Sequence, residues 1–131
     1  MFCASPADVE LDWPRFLPHL VRFERKTKAM SVGQMLVAIK AEKQQLWGLQ
    51  DERDVHGICV TEIQESPKGR VCLIVAAAGS ASKEDKRTLL EHIKAWARSI
   101  GCTVVRVMGR TGWARVFPEF RKVAIILEYS L

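Results

Sequence analysis

The run Arg70-Val71-Cys72-Leu73-Ile74-Val75-Ala76-Ala77-Ala78 constrains this chain more than any other stretch. It carries no polar residue after Arg70, so the alternation of a half-wet strand is missing and both faces must be covered. Gly79 breaks the run. Ser82 then caps a helix, with Asp85 three positions on and Glu84 beside it, acids that suit the positive end of a helix. Leu89, Leu90, Ile93, Trp96, Ala97 and Ile100 recur at steps of three and four, which is one buried helical stripe. Gly101 stops the helix, and Thr103–Met108 reads as another strand. Strand, helix and strand joined by short connections predict a crossover that returns in parallel beside the first strand.

The second face of that buried strand must be covered by what lies upstream. Residues 1–11 read as a short extended arm or an abbreviated first strand. Asp12 suits an N-cap, with Pro14 in the first turn, and Phe16, Leu17, Leu20, Val21 and Phe23 form a helical stripe. Pro18 interrupts the stripe and predicts either a kink or a later start. Ser31 and Gln34 have capping-box spacing, and Val32, Met35, Leu36 and Ile39 supply the buried face of a second helix.

From Gln45 the period changes. Leu46–Leu49 and His56–Ile63 read as strands around a polar turn at Asp51–Asp54, and Ser66-Pro67-Lys68-Gly69 is a turn leading into the apolar run. Downstream, Gly109-Arg110-Thr111-Gly112-Trp113 is a tight corner, Trp113–Phe117 a brief helix before Pro118, and Lys122–Tyr129 a last strand. The expected architecture is α+β: one mixed sheet with an antiparallel three-strand meander, a long crossover helix and flanking helices, the first strand short or absent. Residues 1–131 are expected to form a single domain.

Composition excludes several classes. No apolar run approaches the ~20 residues of a membrane span. Residues 1–6 lack a basic region followed by an apolar core, so a cytoplasmic address is expected. Cys3, Cys59, Cys72 and Cys102 show no C-x-x-C pair, and His19, His56 and His92 are dispersed; reduced structural thiols and no metal site are expected. The net charge of +5 is interleaved with 15 acids, so nucleic acid is not an expected partner.

Four motifs carry a family resemblance: Gln45-Leu46-Trp47, Val60-Thr61-Glu62-Ile63, the helix end Trp96-Ala97-Arg98 with Gly101-Cys102, and Gly109-Arg110-x-Gly112-Trp113. In this order they cover about residues 31–117 and resemble the GNAT acyltransferases, in particular small GNAT-like proteins encoded by tailed bacteriophages. The resemblance implies acetyl-CoA as the cofactor, its pyrophosphate lying where the central strand turns into the long helix. A helix N-terminus suits that role, because it carries unpaired N–H groups and partial positive charge. The family pattern there is Arg or Gln, two residues, Gly, one residue, then Gly or Ala.

Ala76-Ala77-Ala78-Gly79-Ser80-Ala81 matches the second half of that pattern and lacks its leading Arg or Gln. Val75, Ala76, Gly79, Ser80, Ala81, Ser82 and Lys83 are the cofactor-binding candidates on this alignment. Counting back from Leu89-Leu90 and Trp96 instead puts Glu84 and Lys86 at the glycine positions, where side chains crowd a phosphate and the neighbouring acids repel it. Glu62 is the candidate catalytic base. The family's tyrosine acid has no counterpart in the short-helix segment, where Phe117 and Phe120 stand, and Tyr129 lies in the expected last strand. Two functions follow from the resemblance. One is a phage-type protein with weakened or lost acetyl-CoA chemistry, serving virion assembly or binding a protein partner, in the cytoplasm of a bacterial host or packaged in the virion. The other is an active acetyl-CoA-dependent N-acetyltransferase acting on an amine or a protein lysine. The oligomeric state stays open.

Overall fold

The expected crossover forms. In the computed structural model, which describes residues 2–4, 6–27, 31–50, 55–79, 82–107, 116–124 and 127–131, β4 (Gly69–Gly79) leads into α3 (Lys83–Ser99) and returns as β5 (Cys102–Val107), parallel to β4. Before it come β1 (Phe2–Ala4), α1 (Pro6–Thr27), α2 (Val32–Lys40), β2 (Gln44–Gln50) and β3 (Val55–Ser66). The sheet order is β1-β2-β3-β4-β5, antiparallel except for the last pair.

The two faces of the sheet bury different partners. On one side, Phe16 and Leu20 of α1 and Met35 and Ile39 of α2 cover Leu46, Ile58 and Val60. On the other, Leu89, Leu90, Ile93 and Ala97 of α3 cover Trp47, Leu49, Cys59, Cys72 and Ile74. Val71 to Ile74 are all buried, as a run without alternation requires. A fully buried Leu or Phe contributes ~1.5–3 kcal/mol, so these two layers are the main stabilising term.

Helix capping follows the sequence. Ser31 Oγ accepts from the Gln34 N–H at 3.1 Å, and Gln34 Oε1 accepts from the Ser31 N–H at 3.0 Å. Ser82 Oγ likewise accepts from the Asp85 N–H at 3.1 Å.

Two expectations are corrected. α1 begins at Pro6, not at Asp12, and runs through both Pro14 and Pro18. Proline at the first helical position forfeits only an N–H that had no partner anyway. Pro14 and Pro18 stand four residues apart on the exposed side, opposite the buried Phe16 and Leu20, so the carbonyls they leave unpaired face water. The expected last strand is also absent from the described part of 122–129: residues 121–124 and 127–131 are exposed and carry no strand. The Gly109–Trp113 corner and the start of the brief helix lie outside the described residues.

Candidate functional site

β4 changes its pairing halfway along. β5 pairs with it from Arg70↔Cys102 to Ile74↔Val107, and beyond Ile74 the strand continues through Val75–Gly79 against β3 alone. Among the described residues, the β5 side of that stretch therefore has no ladder partner. Three residues, 80–82, separate the end of β4 from the start of α3.

A β-bulge sits at the start of that stretch. Val60 pairs with Ala76 and Thr61 with Ile74, so Val75 is the extra residue on β4. A bulge leaves its extra residue out of the ladder and shifts side-chain parity. The packing shows the shift: Ile74 belongs to the α3-side core, while Val75 and Ala78 pack on the α1/α2 side.

Glu62 faces the same side as Val60 and pairs across β3/β4 with Leu73. One strand spacing and one or two residue steps put its backbone within ~8 Å of the bulge. Its carboxylate is half-buried and held at both oxygens: Gln44 Nε2 donates to Oε1 at 3.2 Å and Gln64 Nε2 to Oε2 at 3.0 Å. The two glutamines, one directly across the β2 ladder and one two residues along β3, were not singled out from sequence. Their only signal was position relative to Glu62.

On the opposite face, Trp47 Nε1–H donates to Thr61 Oγ1 at 3.0 Å, and Thr61 Oγ1–H donates to Gln45 Oε1 at 2.8 Å. Trp96 meets Trp47 edge-on at 5.4 Å. This chain ties β2, β3 and α3 together, so three of the motifs behind the family resemblance supply structural parts of the core.

The expected cofactor residues divide. Val75, Ala76 and Gly79 lie on the end of β4 that, among the described residues, runs against β3 alone, and Ser82 and Lys83 at the start of α3; Ser80 and Ala81 lie outside the described residues. Gly79 has a local reason to be glycine. Its φ is +131°, and a Cβ there would come within 2.4 Å of both Gly57 Cα and the His56 carbonyl oxygen. Because α3 starts at Lys83, Glu84 and Lys86 are inside its first turn and the strand-to-helix connection is 80–82.

That first turn is electrically mixed. Lys83, Lys86 and Arg87 face Glu84 and Asp85, but Arg87 is committed to Glu119 through contacts of 2.7 and 2.8 Å. The Arg87 guanidinium also lies 4.7 Å from the Phe117 ring centroid, and its hydrogen bond to Glu119 holds that carboxyl below the ordinary 4.5. Cys59, Cys72 and Cys102 are buried free thiols. Burial, reinforced by Cys102, pushes Cys72 up to about 12, and burial also raises Cys59 and Cys102. Tyr129 is 87% exposed. Among the described residues no group of three or more His, Cys, Asp or Glu side chains could hold a metal ion, and no helix is long and apolar enough to cross a membrane.

No family model and no curated protein matches the sequence. Solved structures do. A probable acetyltransferase superposes with a TM-score of 0.73 at 19% identity, covering 99% of this chain and 95% of that one. The aminoglycoside acetyltransferase meta-AAC0020 from an uncultured soil metagenomic sample, in complex with sisomicin, gives 0.74 at 15% over 99% and 94%. The ribosomal-protein-alanine N-acetyltransferase from Brucella melitensis biovar Abortus 2308 gives 0.72 at 10% over 99% and 95%. At these identities the likeness is one of fold, and the chain has the GNAT acyltransferase fold.

Proposed function

We propose that this chain is an acyl-CoA-dependent N-acyltransferase, with acetyl-CoA as donor and a primary amine or a protein lysine as acceptor. The observation that carries the reading is the bulge at Val75, just past Ile74↔Val107, the last β4–β5 pair among the described residues, and on the face that carries Glu62. Among the described residues the β5 side of Val75–Gly79 has no ladder partner, and such an edge offers backbone donors and acceptors to an extended, amide-bearing arm, which is how a strand edge binds a peptide-like ligand. A donor freed by the bulge can stabilise the oxyanion that forms when an amine adds to a thioester carbonyl. Glu62 takes the proton from the attacking nitrogen, the C–N bond forms, the C–S bond breaks and the coenzyme leaves as its thiolate. An ordinary thiol titrates near ~8.5, so that leaving group needs no strong acid and the missing tyrosine is not disabling.

The residues fit the thioester end better than the phosphate end. With Arg87 held by Glu119, Lys83 and Lys86 only balance Glu84 and Asp85. Ser82 Oγ already occupies the Asp85 N–H, one of the donors a phosphate would use. This favours a second reading, a GNAT-fold protein that has lost the chemistry and binds a partner protein; a role in phage virion assembly within that reading rests on the sequence motifs alone.

Calorimetric titration with acetyl-CoA, followed by a thiol-release assay across amines and lysine peptides, separates the two. The proposal expects binding and release, with Glu62→Gln lowering kcat by ~10²–10⁴-fold and leaving acetyl-CoA affinity unchanged. No heat at millimolar acetyl-CoA sinks it and leaves the second reading.

A further inference from the structure

Four strands set one row of side chains across the sheet. Gln44 on β2 pairs with Glu62 on β3, Glu62 with Leu73 on β4, and Leu73 with Arg106 on β5. Residues paired directly across a ladder share a face. The packing agrees. Ile63, Cys72, Ile74, Val105 and Val107 all lie in the α3-side core, so Glu62, Leu73 and Arg106, which alternate with them, point to the other side. The bulged Val75 is two residues beyond Leu73 on the same strand. The neighbouring row on that face, Gln64, Val71 and Val104, carries no charge.

The row therefore holds one charge of each sign with an apolar residue between them. Gln44 Nε2 donates to Glu62 Oε1 at 3.2 Å from the β2 side, away from Arg106. Leu73 is only 5% exposed, so a ligand above the row meets the two charged heads and not the leucine. Arg106 is exposed, and among the described residues its guanidinium forms no ion pair. Two strand spacings put the Glu62 and Arg106 backbones ~10 Å apart, and strand side chains stand roughly perpendicular to the sheet, so the heads keep about that separation. An α-amino acid has ~2.5 Å between its nitrogen and its carboxyl carbon, and a charge-assisted hydrogen bond of ~2.8 Å at each end brings the span to ~8 Å. That span matches the row. A lysine side chain or an N-terminus within a peptide offers an amine but no carboxylate one Cα away.

Given the acyltransferase reading, on which this rests, we propose that the row binds the acceptor and that the acceptor is a free α-amino acid, its amine at Glu62 and its carboxylate on the Arg106 fork. The α-ammonium first loses one proton to water. The neutral amine attacks the thioester carbonyl at the bulge and passes its second proton to Glu62. The C–N bond forms, the C–S bond breaks and the coenzyme leaves as its thiolate. The carboxylate takes no part in the transfer, so Arg106 selects the acceptor while Glu62 carries the chemistry.

Thiol release measured over free α-amino acids and their α-amides tests this. Arg106→Gln should lower the ratio of kcat/KM for acid over amide by ~10–100-fold, the range for a hydrogen bond to a charged group. Arg106→Lys keeps the charge and loses the fork, so its ratio should fall between the two. Partial misfolding scales both acceptors alike, so the ratio reports the side chain alone. Without any acyl donor, the Arg106 Nε–H NMR signal of the wild type should shift on adding a free amino acid and stay in place on adding its amide. An unshifted signal, or a ratio that Arg106→Gln leaves unchanged, overturns the role given to Arg106 and leaves the acyltransferase reading standing. Release with no amine at all sinks both.

Discussion

Replacing Gly79 by alanine separates two reasons for a glycine at the end of β4. If the residue serves a phosphate, its loss lowers ligand affinity and leaves the apoprotein intact. The geometry argues for a different effect. A backbone at φ +131° lies in a region that L-residues rarely adopt, and strain of that kind costs ~1–3 kcal/mol. The added Cβ would also stand 2.4 Å from Gly57 Cα and from the His56 carbonyl oxygen, both of them backbone atoms that cannot rotate away. Forcing apart a packed contact typically costs another ~1–3 kcal/mol. The sum, ~2–6 kcal/mol, is a large share of the ~5–15 kcal/mol that holds a domain together.

Urea denaturation of Gly79→Ala should therefore show a markedly lower midpoint in the absence of any ligand. Gly33→Ala is the internal control. Gly33 is an exposed residue of α2, where a Cβ would meet nothing nearer than Ser31 Oγ at 3.9 Å, so the same substitution should stabilise by up to ~1 kcal/mol. Opposite signs are required. A Gly79→Ala protein as stable as wild type but impaired in acetyl-CoA binding would refute the packing argument and return Gly79 to the cofactor.

Other substitutions and titrations probe the neighbouring elements. Ser82→Ala removes the α3 cap and should cost ~1 kcal/mol in thermal unfolding, yet it frees the Asp85 N–H, so acetyl-CoA affinity should hold or rise. Trp47→Phe deletes the donor to Thr61 and should cost ~1–3 kcal/mol by denaturant titration, with Thr61 keeping its bond to Gln45. The Glu119 carboxyl is held below 4.5, so its contribution is present above that pH and disappears as pH falls through the lower folded value; a carboxyl NMR titration should move back toward 4.5 in Arg87→Gln. Buried Cys59 and Cys72 titrate above their ordinary 9.0, so the unfolded chain releases these protons first. Stability should fall as pH rises through 9.0, and native-state alkylation of these thiols should be blocked until the protein opens.

The elements were readable wherever one kind of local chemistry decided them, and the site was not, for a reason in the same run of residues. Ser31 and Ser82 announced their helices because a hydroxyl cap has a fixed spacing to the N–H it satisfies. Pro14 and Pro18 mislead because an exposed proline can leave its orphaned carbonyl to water, so the helix runs through both while Phe16 and Leu20 stay buried on the opposite side. The segment 122–129 has strand periodicity, but periodicity names a face to be buried and does not supply an edge to bury it against. The bulge is the sharper case. In a half-exposed strand a one-residue slip would interrupt the alternation and be visible. In Val71–Ala78 every residue is apolar, so moving Val75 out of the ladder leaves no mark on the sequence. The burial that makes β4 the most predictable strand of the sheet thus also conceals the residue on which the acyltransferase reading turns. The same property gives that residue a tractable test. Val75→Ala shortens a side chain packed on the α1/α2 side without removing the bulged N–H, so it should lower stability by ~1–2 kcal/mol and leave thiol release within a few-fold of wild type. A large loss of rate at unchanged stability would mean that the Val75 side chain, rather than the backbone it displaces, meets the acyl group.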